Sequence, residues 1–159
     1  MSPRAAWRLE ALGFSHVYDY LAGKKDWLAA GLTTEGKRAG QVRAGHLSRP
    51  DPPTCRPDER VGDVRRRLGS DGWDACIVVN DHDVVEGRIR PSDLADVDGE
   101  TLVEEVMELG PTSIRPDAGL ESIVKRVRNA NVASILVTSS SGELLGVLYR
   151  EDAERHLDE

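Results

Sequence analysis

One stretch of this chain occurs twice. Arg56-Pro57-Asp58 recurs as Arg115-Pro116-Asp117, an offset of 59 residues. The same offset lays Pro52 on Pro111, Thr54 on Ser113, Val78 on Val137, Gly87 on Gly146 and Asp93 on Asp152. No gap is needed from Pro52 through Leu94. Self-similarity at a fixed period constrains a fold more tightly than local propensity does. Each copy must build the same supersecondary unit and bury its apolar face against a neighbour. A chain of 159 residues has room for one compact domain, or one domain with a short appendage.

Each copy reads in the same order. A short extended piece, Pro53 to Arg56 or Thr112 to Arg115, comes first. Asp58 and Asp117 have the residue type of helix N-caps, each after a proline that favours extended backbone. A helix follows, with Val61, Val64 and Leu68 in one copy and Leu120, Ile123 and Val127 in the other spaced as a single apolar stripe. A buried strand comes next, Ala75 to Val79 or Ser134 to Val137. Polar turns at Asn80 to Asp83 and Ser139 to Gly142 lead into returning strands, Val84 to Ile89 and Glu143 to Tyr149. Closing helices start near Pro91 and Arg150. The fold class is α/β (α+β), with two β-α-β-β-α repeats related by a pseudo-twofold axis. The domain reading is an N-terminal segment over 1–36, a Gly-containing linker over 37–48, a first repeat over 49–98 and a second over 99–159. Val42 to Leu47 reads as a short helix leading into the first repeat.

Composition narrows the function. The net charge of −7 is the wrong sign for a nucleic-acid footprint. Arg65, Arg66 and Arg67 fan around a helix with acids close by, which is the pattern of a solvated face. Cys55 and Cys76 lack the paired spacing of zinc or redox motifs, and both sit in apolar strand contexts. His16, His46, His82 and His156 are scattered, so no metal site is expected. Catalytic loops of the GxSxG, Walker and dinucleotide types are absent. No apolar run approaches the roughly 20 residues that span a bilayer, and Met1 to Glu10 lacks the apolar core of a secretory signal. The expected compartment is the cytoplasm.

With the repeat in view, the chain resembles a tandem CBS domain pair, or Bateman module, over roughly residues 42 to 159. The segments that carry the resemblance are Glu104-Glu105-Val106-Met107, Ile114-Arg115-Pro116-Asp117 and Gly142-Glu143-Leu144-Leu145-Gly146-Val147-Leu148. The resemblance implies a regulatory, ligand-sensing protein rather than an enzyme. It implies adenosyl ligands such as AMP, ADP, ATP, NADH or S-adenosylmethionine in clefts between the repeats. A dimerisation or protein-interaction module that binds no nucleotide is the alternative. A homodimer and an unidentified protein partner are also expected, with no nucleic acid and no membrane.

The family's usual signature is Gly, two apolar residues, Thr or Ser, two variable residues, then Asp. Here the copies read Gly87-Arg88-Ile89-Arg90-Pro91-Ser92-Asp93 and Gly146-Val147-Leu148-Tyr149-Arg150-Glu151-Asp152. Both acids are kept and both hydroxyls are replaced, by Arg90 and Tyr149. An ionised Asp is an acceptor suited to the two ribose hydroxyls. An acid in a first helical turn is equally favoured by the helix dipole without any ligand, so both roles stand for Asp93 and Asp152. Arg90 either supplies a charge-assisted bond to a phosphate or lies exposed before its helix. Tyr149 either stacks in its cleft, blocks it, or packs. Further pocket candidates implied by the resemblance are Thr54, Cys55, Ala75, Ser113, Ile114 and Ser134.

Residues 3 to 36 have a different character. Pro3 to Leu12 reads as an amphipathic helix, His16 to Tyr20 as a strand, and Gly23 to Ala30 as a turn and short helix. Five of the chain's seven aromatic residues lie here, Trp7, Phe14, Tyr18, Tyr20 and Trp27. So short a segment cannot bury them all. Arg4 to Phe14, Val17 to Tyr20 and Gly23 to Leu32 resemble the C-terminal end of a rhodanese domain. That family's catalytic cysteine loop lies upstream of the matching part. Neither Cys55 nor Cys76 follows a strand into a loop aimed at a helix N-terminus, the setting that activates a thiolate. The resemblance therefore implies a rhodanese-like remnant without sulfur transfer, or a domain whose upstream part is missing.

Overall fold

The computed structural model describes residues 2–21, 23–29, 32, 35–36, 40–68 and 72–157. The chain divides into two compact units, Met1–Ala39 and Gly40–Glu159. Among the described residues no helix is long and apolar enough to cross a membrane.

The larger unit holds both repeats. The first contains β1 (Thr54–Cys55), α4 (Val61–Leu68), β2 (Cys76–Val79), β3 (Val85–Ile89) and α5 (Pro91–Leu94). The second contains β5 (Ser113–Ile114), α6 (Leu120–Ala130), β6 (Ser134–Thr138), β7 (Leu144–Tyr149) and α7 (Arg150–Arg155). Ahead of them lie α3 (Ala44–Leu47) and, between the repeats, a 3-10 turn (Val103–Glu105) and β4 (Glu108–Leu109). The expected β-α-β-β-α order is present twice. In each copy the first strand pairs parallel with the second and the second antiparallel with the third. The two sheets run β1-β2-β3-β4 and β5-β6-β7. Val84 bridges its counterpart Glu143, so the pseudo-twofold axis passes between these two residues.

The apolar runs of β2 and β6 are continuous because both faces of each strand are covered. Successive side chains alternate across a strand. Cys76 and Val78 therefore join Cys55, Val61, Val64, Leu68 and Ile89 in the first repeat's core. Ile77 and Val79 turn the other way and meet Leu136 and Val147 of the second repeat, with Ala75, Trp73 and Tyr149 alongside. Ile135, Val137 and Leu148 pack with Ile114, Ile123, Val124 and Val127 in the second core. Asn131, in the left-handed region at φ 48°, closes α6, a conformation asparagine tolerates better than most residues.

The segments that open the repeats are exchanged between them. Arg43 bridges Gly119, and the N–H groups of Ala44 and Gly45 donate to Ala118 O at 2.9 Å and Pro116 O at 3.0 Å. Ala44 and Leu47 thereby join the second repeat's core although they precede the first repeat. The mirror arrangement follows 59 residues later: Arg60 bridges Leu102, and Val103, Val106 and Met107 join the first repeat's core. The chain then runs along the partner's returning strand. Arg49 pairs with Val147, and Glu108 and Leu109 pair with Arg88 and Gly87.

This exchange corrects the expectation for Asp58 and Asp117. The helices begin later, at Val61 and Leu120, with Gly119 ahead of the second. The leading N–H groups of α4, at Val61 and Gly62, donate to Thr101 O and Gly99 O. Backbone carbonyls of the exchanged segment thus take the place of a side-chain cap. The acid that does cap locally is Glu59, whose carboxylate accepts the Arg56 N–H at 2.7 Å.

In the smaller unit α1 spans Ser2–Ala11 and α2 spans Gly23–Ala29. The strand expected at His16 to Tyr20 is absent; these residues have no regular secondary structure. A strand needs a partner for its N–H and C=O groups, and the described residues of this unit supply none. Trp7, Phe14 and Tyr18 are 67%, 60% and 87% exposed, so this unit does not bury them, as the count of aromatics implied. Tyr20 meets Trp27 edge-on at 5.2 Å between ring centres.

Candidate functional site

Each repeat ends its returning strand where the exchanged segment crosses it, and the signature residues gather there. On the second repeat, Asp152 lies in the first turn of α7 with 15% of its side chain exposed. Its Oδ2 accepts from Arg49 Nε at 3.0 Å and Nη2 at 2.7 Å. Glu151 Oε1 lies 3.4 Å from the same Nη2. The Arg49 guanidinium also sits over the Tyr149 ring, 4.3 Å from its centre, within cation–π range. Tyr149 in turn donates its hydroxyl to Asp74 Oδ1 at 3.0 Å, and Ser134 donates to Asp74 Oδ2 at 2.7 Å. Burial, the largest influence, pushes the Tyr149 hydroxyl up, so it stays a donor at neutral pH. Trp73 and Ala75 border the ring. Asp74 is thus a first-repeat carboxylate that orients a second-repeat cleft. Beside it opens a cavity of about 500 Å³ lined by Asn131, Val132, Ala133, Tyr149, Arg150 and the acids Glu151 and Glu154, the latter paired with Arg128 and Arg150.

The first repeat carries the same scaffold with the charges reversed. Glu108 stands where Arg49 stands in the other cleft. Arg88, only 5% exposed, grips Glu108 through Nε and Nη2, both at 2.9 Å, and Arg90 Nη1 reaches Glu108 Oε2 at 2.7 Å. Asp93 is turned inward along its own helix. Its Oδ2 accepts the Arg90 N–H at 2.8 Å and its Oδ1 accepts from Ser92 at 3.2 Å, which is the acid half of a helix-start motif.

The other candidates divide by depth. Ser134 and Ala75 lie with Tyr149 around the second cleft. Cys55 and Ile114 point into the two repeat cores. A hydrogen bond to Cys76, then burial, pushes the Cys55 thiol up, the opposite of an activated nucleophile. Thr54 lines a separate cavity of about 280 Å³ with Asp51, Val79 and Leu144. Ser113 is half-buried on β5, paired with Leu136. The arginine run forms an ion-paired face: Arg66 holds Asp63, Arg67 holds Glu59, and Arg65 Nη2 donates to Val97 O at 2.6 Å.

The model of the CBS domain matches the chain twice, over residues 44–100 and 103–159. The chain belongs to the CBS domain family. Both matches begin within the exchanged segments, which are therefore part of the family unit. The rhodanese-like resemblance of the first 36 residues finds no support in the comparisons, and the strand it needed is missing. No curated protein matches the chain. Among solved structures, the CBS domains of a transcriptional regulator from Streptococcus pneumoniae share 22% identity at a TM-score of 0.66, covering 72% of this chain and 98% of that one. CBSX2, a CBS-pair protein of Arabidopsis thaliana, solved in complex with AMP, shares 19% identity at a TM-score of 0.65, covering 73% and 96%. The cytosolic domain of the magnesium channel MgtE, in complex with ATP, shares 22% identity at a TM-score of 0.67, covering 74% of this chain and 50% of that one. Identities this low establish the shared fold.

The first cleft makes a pH prediction. The Arg88 hydrogen bond, with Arg90 nearby, holds the Glu108 carboxyl below its usual range. A depressed carboxylate stabilises the fold above its unfolded pKa of about 4.3. That contribution is lost as pH falls through the lower folded value. Urea unfolding from pH 7 down to pH 3 should therefore show a stability loss below about pH 4.3 that is shallower in Arg88→Met. An unchanged acid slope in the variant would mean that Glu108 contributes nothing through this pair.

Proposed function

We propose that this CBS pair is a non-catalytic regulatory module that senses an adenosyl ligand at the Asp152 cleft. In this reading it works in the cytoplasm as a homodimer and passes the signal to a protein partner. The observation that carries the reading is the contrast between the two signature acids. Asp93 spends both oxygens on its own helix start, whereas Asp152 Oδ2 is held by a half-exposed guanidinium that a ligand can displace. A carboxylate at that place suits the two ribose hydroxyls, and the adjoining cavity is of a size typical for small ligands. Tyr149 offers a ring face for the base, with Ser134 and Ala75 beside it and Ser113 at the strand that opens the repeat. In the first cleft, Arg90, Asp93 and Glu108 form a structural counterpart; Cys55 and Ile114 serve packing, and Thr54 lies exposed at the separate cavity beside Asp51. The similar folds solved with AMP and ATP support the ligand class.

Thermal unfolding and calorimetry with AMP, ADP, ATP, NADH and S-adenosylmethionine test this. One of them should raise the melting temperature; at about 100 times its dissociation constant a ligand adds roughly 2.7 kcal/mol. Asp152→Ala should weaken binding about tenfold to a hundredfold, the worth of hydrogen bonds to a charged group. Asp93→Ala should lower stability and leave affinity unchanged. No response to any of the five at millimolar concentration rejects the sensing role and leaves a dimerisation or protein-interaction module.

A further inference from the structure

We infer that Arg49 sets the charge of the ligand this cleft accepts: it is released from Asp152 when ribose binds and pairs with the ligand's phosphate. The inference rests on the adenosyl reading above and specifies the ligand as an anionic adenine nucleotide. Three observations lead to it. Arg49 makes two donations to a single oxygen of Asp152, at 3.0 and 2.7 Å. The other oxygen is only weakly engaged, by Arg155 at 3.6 Å. A ribose diol that uses both oxygens must therefore take Oδ2 from Arg49. The Arg49 side chain is 46% exposed and its guanidinium is stacked on a ring, so it can swing without disturbing a core. Its backbone is fixed meanwhile, because the Arg49 N–H donates to Val147 O at 2.8 Å and its carbonyl accepts from Val147 N at 3.0 Å.

Displacement leaves a cation that has lost its closest counter-ion. Glu151, 68% exposed and 3.4 Å away, compensates weakly, since exposed pairs are screened by solvent. A phosphate one ribose away from the diol restores a bidentate, charge-assisted contact of the kind guanidinium groups favour. Adenosine brings no such anion, and the sulfonium of S-adenosylmethionine adds a like charge. In the first cleft the corresponding position is Glu108, already held by two arginines, so the device exists on one side only. The pseudo-symmetric scaffold thus yields one selective site per chain.

Calorimetric titration of the full chain with AMP and with adenosine tests the inference, using wild type, Arg49→Gln and Arg49→Lys. Wild type should favour AMP by about tenfold or more, the worth of a single charge-assisted bond, and the preference should shrink as salt is raised. In Arg49→Gln, AMP should bind at least about tenfold more weakly. Adenosine should bind as well as before or more tightly, because Asp152 no longer has to be vacated. Arg49→Lys should recover part of the preference. Equal weakening of both ligands in Arg49→Gln would overturn the inference and make Arg49 a structural clamp, while the adenosyl reading would survive. Binding by wild type of neither ligand, nor of ADP, ATP or NADH, would overturn the inference, and a further failure of S-adenosylmethionine to bind would end the adenosyl reading as well.

Discussion

Ala44→Asp should unfold the second repeat although residue 44 lies ahead of the first. Ala44 has no exposed surface. It packs among Ile114, Ile123, Ile135, Leu148 and Ala153. None of these is a donor to a carboxylate, so the new acid would be buried unpaired. A charge in such a place either costs several kcal/mol or is neutralised at a similar cost. A loss of more than about 3 kcal/mol is expected, a large part of the stability of a domain this size. The diagnostic is where it falls. Hydrogen exchange should rise first across β5, α6, β6 and β7, with β1 to β3 following. Val103→Asp, in the matching place under the first repeat, should reverse that order. If Ala44→Asp loosens the first repeat first, or costs no more than the roughly 0.5 kcal/mol of an ordinary surface substitution, the exchanged packing is wrong.

Gly87→Val and Gly146→Val should each cost about 3 kcal/mol, the upper part of the usual range for overpacking. A Cβ at Gly87 would stand 2.8 Å from Met107 Sδ and 2.9 Å from Glu108 O; at Gly146 it would stand 2.7 Å from Arg49 O and 3.2 Å from Ser48 Cβ. The backbone oxygens cannot move aside without breaking the pairing of Glu108 with Arg88 and of Arg49 with Val147. These glycines therefore exist to let the exchanged segment cross the strand closely. Denaturant unfolding of the two variants and of Gly119→Val measures the effect. Gly119 has open space where its Cβ would be. If Gly87→Val and Gly146→Val lose no more than Gly119→Val, close approach is not what these glycines provide.

Most of the fold was legible because the apolar pattern was read twice. The stripes at Val61, Val64 and Leu68 and at Ile123 and Val127 are buried as their spacing implied, while Leu120 of the second stripe is only half-buried against its core. The returning strands and closing helices fall within a residue or two of their expected bounds. The signature acids were visible as well, each three residues after Arg90 or Tyr149. Their partners were missed. Arg49 and Glu108 lie just outside the gap-free repeat that begins at Pro52, and their opposite charges conceal their equivalence. Carrying the 59-residue offset three residues further upstream pairs them, and the reversal of charge against Asp152 and Arg90 is the signal that was available. Asp74 and Trp73 had no such signal, because their counterparts Ala133 and Val132 share no chemistry with them.

The sequence by itself determined the unit and its number, because a periodic apolar pattern dictates which residues leave water wherever the copies finally sit. It also determined that the first 36 residues leave aromatics without enough chain to cover them. Only the tertiary structure decided which copy each opening segment serves. Two nearly identical apolar faces attract either segment equally, and the choice is made by chain reach and strand pairing. The same holds at the clefts. Asp93 and Asp152 are equivalent in sequence, and what separates them is which side chain the exchanged segment brings across: Glu108, which draws in Arg88 and Arg90, or Arg49, which closes on Asp152.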